Sequence, residues 1–107
     1  MNNALKDLLF FMLNKNYIGG KHTPEEKAVK SKTRWLNKKE IKKFEEEYKQ
    51  MINAGFFMKT KKRTGKGTDW HISLNPRKLK DLREVLWKWK TLEFFVKYME
   101  IQHIIVF

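Results

Sequence analysis

At 107 residues with 14% aromatic content, the chain is long enough for one domain around a small core. A formal charge of +12, from 24 Lys and Arg against 12 Asp and Glu, exceeds what solubility requires and points to a polyanion, nucleic acid ahead of an anionic membrane. The absence of cysteine excludes disulfides and thiolate metal sites, and no apolar run approaches the roughly 18 to 20 residues of a membrane span, so a cytoplasmic protein without membrane contact is expected.

Asn3 is expected to cap a first helix over residues 4–15, with Leu5, Leu8, Leu9, Met12 and Leu13 on one face and Phe10 and Phe11 widening it. Residues 14–20 break that helix, and Tyr17-Ile18 is expected as a short strand. Thr23-Pro24-Glu25-Glu26 reads as the start of a second helix, with Thr23 as the cap, Pro24 at N1 and Glu26 closing a capping box. Its only apolar interior residues are Ala28 and Val29, and Lys30 to Arg34 reads as a polar, basic connection to Trp35 and Leu36. Asn37 then caps a third helix, with Glu40 three residues on and Leu36 and Ile41 placed as a hydrophobic staple. Ile41, Phe44, Tyr48, Met51 and Ile52 recur at spacings of three and four, which predicts one apolar stripe. Gly55 supplies the left-handed residue that ends the helix, and Phe56 can fold back on Met51.

Two strands follow, over residues 56–62 and 68–74. The second alternates Trp70, Ile72 and Leu74 against Asp69, His71 and Ser73, so one face, Trp70 included, is expected in the core. Arg63-Thr64-Gly65-Lys66-Gly67 between them has the glycines a hairpin tip needs. Asn75 and Pro76 open a last helix, with Leu74 and Leu79 as a second staple. Leu79, Leu82, Val85, Leu86, Trp89, Leu92, Val96 and Met99 form one stripe, while Trp87, Phe94, Phe95 and Tyr98 lie to the other side. A helix apolar on two faces is buried on two, so a homodimer through Val85 to Phe107 is expected. The order of elements predicts an α+β, mostly helical fold: a winged helix-turn-helix over residues 1–79, followed by a long C-terminal helix and tail over residues 80–107.

The charge is concentrated at two places. Residues 32–43 carry Lys32, Arg34, Lys38, Lys39, Lys42 and Lys43 against Glu40 alone, and residues 59–69 carry Lys59, Lys61, Lys62, Arg63 and Lys66 against Asp69 alone. Cations near a helix N-terminus oppose the macrodipole by roughly 0.3 to 1 kcal/mol each, which argues that something besides helix stability holds the lysines of the third helix there. The competing reading is a solvated face, and lysines also blunt strand edges. Glu46, near the middle of the same outward face, is expected to pair with Lys42 or Lys43. Trp35 is expected either to cover the core or to pack beside a phosphate, His71 to be a surface or hydrogen-bonded residue, and the aromatics not to be displayed for stacking on bases. His22, His71 and His103 have no ligand-type neighbours at helical spacing, and no nucleophile, base and orienting group assemble, so neither metal, cofactor nor enzyme activity is expected.

Two stretches carry a resemblance. Ile18-Gly19-Gly20-Lys21-His22-Thr23-Pro24-Glu25-Glu26 and His71-Ile72-Ser73-Leu74-Asn75-Pro76-Arg77-Lys78-Leu79 resemble short archaeal winged-helix proteins, which share a Gly-x-Lys-His-Thr-Pro opening to the second helix, a Lys-Thr-Gly-like wing and a Ser-Leu-Asn-Pro start to the last helix. The resemblance spans about residues 4–86. It implies the fold and a DNA-binding role, without a ligand or target; the chain departs from it in the turn over residues 32–37 and in its apolar C-terminal extension. The expectation is a double-stranded DNA-binding protein, either a transcription regulator or a small chromatin-type factor. Lys38, Lys39, Lys42 and Lys43 would meet phosphates or base edges in the major groove, and Lys61, Lys62, Arg63 and Lys66 would follow the neighbouring backbone or minor groove. RNA binding by the same surface and a protein-interaction module docking through the C-terminal helix are the alternatives.

Overall fold

The computed structural model describes residues 2–65 and 67–88, Thr64 by its backbone alone. Helix α1 (Asn3–Asn14) opens on Asn2, whose side-chain oxygen accepts from the backbone N–H of Ala4 at 2.8 Å and of Leu5 at 3.4 Å. The cap is thus Asn2 and not the expected Asn3, and the backbone N–H of Asn2 is held in turn by the Glu47 carboxylate at 2.6 Å. Ala4, Leu5, Leu8, Leu9 and Met12 are buried. At the far end Asn16 adopts φ 58°, its N–H bonds to the Leu13 carbonyl and that of Tyr17 to the Met12 carbonyl. This is the paired-bond termination that a left-handed residue permits, made here by asparagine.

The expected strand at Tyr17-Ile18 reduces to a single parallel bridge between Ile18 and Leu74. The third strand forms five residues later, as β1 (Thr23–Pro24), antiparallel to the later strand β3 (Gly67–Leu74), with Thr23 opposite Ile72 and Pro24 opposite His71. The capping box expected on Thr23 is therefore absent: Pro24 occupies the cap position, without a side-chain bond. The physical reason was present in the sequence, because a residue preceding proline is driven toward extended backbone, and Thr23 takes that conformation within the sheet.

Helix α2 (Glu25–Thr33) keeps Glu25 and Glu26 in its first turn, where the macrodipole favours them. It runs through residues 30–33, which were expected to be connection. Ser31 and Thr33 donate back to the Ala28 and Val29 carbonyls at 2.7 and 2.9 Å, and Lys30 pairs with Glu26 at 2.7 Å one turn earlier. A short turn, in which the Leu36 N–H meets the Thr33 carbonyl, leads into α3 (Lys38–Asn53). The Asn37 side chain accepts from the Glu40 N–H at 2.9 Å. Phe44 and Met51 are buried, and Ile41, Tyr48 and Ile52 are half-buried along the same stripe. Gly55, at φ 86°, ends the helix: its N–H reaches the Ile52 carbonyl, and the N–H of Phe56 reaches that of Met51.

Strand β2 (Phe57–Thr64) pairs along its length with β3, giving an antiparallel sheet in the order β1-β3-β2. Asn75 caps the next turn by accepting from the Arg77 N–H at 3.0 Å, a 3-10 turn spans Pro76–Lys78, and helix α4 follows over residues 79–88. One core joins α1, α2, α3, the inner half of the sheet and α4; Leu5, Leu8, Leu9, Met12, Phe44, Ile72, Leu74 and Leu82 are its most enclosed apolar side chains. Leu82 and Leu86 lie in that same core, so packing continues past residue 79. The dimer expected through Val85 to Phe107 falls, from Trp89 onward, outside the described residues. Among the described residues no helix is long and apolar enough to cross a membrane.

Candidate nucleic-acid interface

Lys38, Lys39, Lys42 and Lys43 are all exposed on the first half of α3. The expected pairing of Glu46 with Lys42 or Lys43 does not form, and among the described residues none of the four lysines is in an ion pair. Exposed side chains with an i,i+4 option gain only about 0.3 to 0.5 kcal/mol from closing it, little against the rotamer freedom lost.

The register of the hairpin sorts its cations. Lys61 lies opposite Trp70, Arg63 opposite Thr68 and Lys59 opposite Ile72, so these share one face; Lys62 lies opposite Asp69 and Thr60 opposite His71 on the other. Lys61, Lys62 and Arg63, grouped together in the sequence reading, are divided between two faces, and Lys66 lies outside the described residues. The inner half of β3, His71 to Leu74, is buried on both faces, while Gly67 to Trp70 is exposed. Trp70 is accordingly no core residue: it is 45% exposed, with the ammonium groups of Lys59 and Lys61 at 4.9 and 5.1 Å from its ring centroid. Strand alternation predicts which side chains share a face, but not where along the strand the covering helices stop.

Trp35 does not cover the core either. It is 84% exposed on the α2–α3 turn, with the Arg34 guanidinium 4.8 Å from its ring. Two tryptophans beside cations are thus displayed, contrary to the expectation that no aromatic is placed to stack on a base.

A clamp that no local motif announces fixes the root of the hairpin. The Tyr48 hydroxyl donates to the Glu25 carboxylate at 2.6 Å, and Lys59 approaches the same oxygen at 3.2 Å. Burial, then the hydrogen bond to Glu25 and its charge, push the Tyr48 phenol above its ordinary range. The Tyr48 ring stacks on Phe44 at 5.6 Å and meets Phe57 edge-on at 5.1 Å. One carboxylate on α2 therefore ties α3 and β2 together.

A second pair also escaped the sequence reading. His22 and His71, 49 residues apart, bring their Nδ1 atoms to 2.8 Å with rings nearly perpendicular. One nitrogen must carry a proton and the other must not. Burial, then the nearby His22 and Lys62, hold His71 below the ordinary histidine value, against an opposing effect of Asp69. Among the described residues no group of three or more metal-ligating side chains converges.

The chain matches no family model, no curated protein and no solved structure.

Proposed function

We propose that this is a winged-helix protein that binds double-stranded DNA, acting as a homodimer in transcription regulation or as a small chromatin-type factor. The element order, the sheet order β1-β3-β2 and the short turn joining α2 to α3 support the winged-helix reading. The observation that carries the function is the set of exposed cations with no carboxylate partner on α3, together with Lys61 and Arg63 on the exposed half of the hairpin. Such cations gain little from the fold and are free to displace counterions from a phosphate backbone. Exposed Phe10 and Trp87, which with Leu13, Arg83 and Leu86 line an apolar groove of about 240 Å³, support self-association at α1 and α4. Sedimentation equilibrium at micromolar concentration is expected to give twice the chain mass; a monomer would remove the dimer from the proposal.

Neutralising about five phosphates per protomer gives a log–log salt slope near −4 to −5 on duplex DNA. Fluorescence anisotropy across a salt series tests this, and Lys61→Ala with Arg63→Ala is expected to make the slope shallower by roughly two units. A flat salt response in the wild type, or an unchanged slope in the variant, refutes the assignment. The display of Trp35 and Trp70 favours a second reading, RNA binding, which competition of structured RNA against duplex DNA at equal salt decides.

A further inference from the structure

Between the exposed half of β3 and the beginning of α2 lies a cleft of about 530 Å³, with Trp70 and Thr68 on one wall and Pro24, Lys27 and Lys30 on the other. It exists because β1 stops at Pro24 while β3 continues outward to Gly67, so that the outer part of β3 has a neighbouring strand on one side only. The Leu74 N–H and carbonyl point away from β2, toward Tyr17 and Gly19. Strand alternation directs those of Thr68 the same way, into the cleft. The chemistry of the walls is mixed. Lys27 and Lys30 are cationic, Lys30 being paired with Glu26 at 2.7 Å, but Glu25, Glu26 and Asp69 also line the space. A groove that merely followed phosphates would exclude those carboxylates, which repel the backbone and serve as acceptors for amino groups.

We infer that this cleft holds one unpaired nucleobase, stacked on the Trp70 indole, with its amino edge toward the carboxylates that line the cleft and its phosphate toward Lys27. The inference rests on the nucleic-acid reading above and adds a preference for DNA that carries an unpaired base beside its duplex. A base inside a duplex has both faces covered by its neighbours and presents no ring to the indole. An unpaired base supplies all that the walls ask for: a flat face, edge donors and a phosphate. Lys61 favours the same occupant, since a cation within 6 Å of an aromatic ring holds the indole in place and stands ready for the adjoining phosphate, whereas Lys59 on the same ring is held by Glu25.

The experiment compares wild-type chain, Trp70→Ala and Trp70→Phe on two DNAs of one sequence, a blunt duplex and the same duplex with a short single-stranded overhang carrying 2-aminopurine. Wild type is expected to bind the overhang DNA at least tenfold more tightly and to quench the 2-aminopurine. Stacking on an aromatic side chain is worth roughly 5- to 150-fold in affinity. Trp70→Ala is therefore expected to lose most of the overhang preference and the quenching, while blunt-duplex affinity stays within about twofold. Trp70→Phe is expected to retain part of both. The ring lies outside the core, so an unchanged urea midpoint identifies each variant as folded. Equal wild-type affinity for the two DNAs, or a Trp70→Ala variant that weakens both alike or neither, overturns the inference and leaves duplex binding standing. Failure of the wild type to bind either DNA overturns both.

Discussion

Replacing Tyr48 with Phe removes a single oxygen from the clamp at the root of the hairpin and leaves the ring contacts with Phe44 and Phe57 in place. A hydrogen bond to a charged acceptor contributes about 1.5 to 3 kcal/mol. Here the lower end applies. Glu25, with 19% of its side chain exposed, keeps Lys59 at 3.2 Å after the change, and the half-buried phenol is partly screened by solvent. A loss of about 1.5 kcal/mol at pH 7 follows, seen as a lower urea midpoint at unchanged slope and as a fall in Tm of roughly 6 to 12 °C. The phenol is held above its ordinary value in the folded chain, so its contribution is complete below the unfolded value near 10 and is lost as pH rises beyond it. The gap between wild type and Tyr48→Phe should accordingly shrink by about 1.4 kcal/mol per pH unit above 10 and vanish close to pH 11. Combining Tyr48→Phe with Glu25→Gln should cost clearly less than the two single changes added together. A variant within about 0.3 kcal/mol of wild type at pH 7, or a gap that does not move between pH 9 and 11, would refute the clamp.

Gly55→Ala forces a Cβ onto a residue at φ 86°, where the new atom meets nothing nearer than Lys78 at 3.8 Å, so the cost is backbone strain alone, about 1 to 2 kcal/mol in urea unfolding. Gly20→Ala, with no positive φ and nothing within 4 Å, is the control and should be near neutral. His71, held low by burial, His22 and Lys62, contributes stability that is complete above the ordinary histidine value near 6.5 and declines as pH falls from there through the folded value. An NMR titration should place its midpoint below the ordinary one, and His22→Gln or Lys62→Gln should each raise it; an unmoved midpoint in both variants would refute the cause.

What the sequence made legible was what neighbours in the chain decide. Asn37, Glu40 and Gly55 mark the two ends of α3 within a turn of themselves, and Asn75-Pro76 marks the start of the 3-10 turn that leads into the last helix. The misplaced third strand shows the limit of such signals. Thr23-Pro24-Glu25-Glu26 satisfies a capping rule and also the rule that proline extends the residue before it, and only pairing with Ile72, 49 residues away, decides between them. For the candidate interface, exposure of the lysines could be read from the helical period, but the separation of Lys62 from Lys61 and Arg63 needed the strand register. Trp70 was misjudged because a large aromatic is usually covered, and the choice left open for Trp35 turned on the same question, since burial is set by which helices reach the ring. The Glu25, Tyr48 and Lys59 clamp joins three elements and leaves no periodic trace.

The hairpin is anchored at one end only: its inner half belongs to the core, whereas its outer half touches little besides itself. Amides of Ile72 and Leu74 should exchange with solvent at the rate of global unfolding, and those near the tip far sooner. Tolerance to substitution should be graded along the same axis. Substitutions at the exposed Lys61, Lys62, Arg63 and Thr68 should leave folding almost untouched, while those from His71 inward are constrained by the core. A single ribbon thus separates a part on which selection for recognition can act freely from a part answerable to stability.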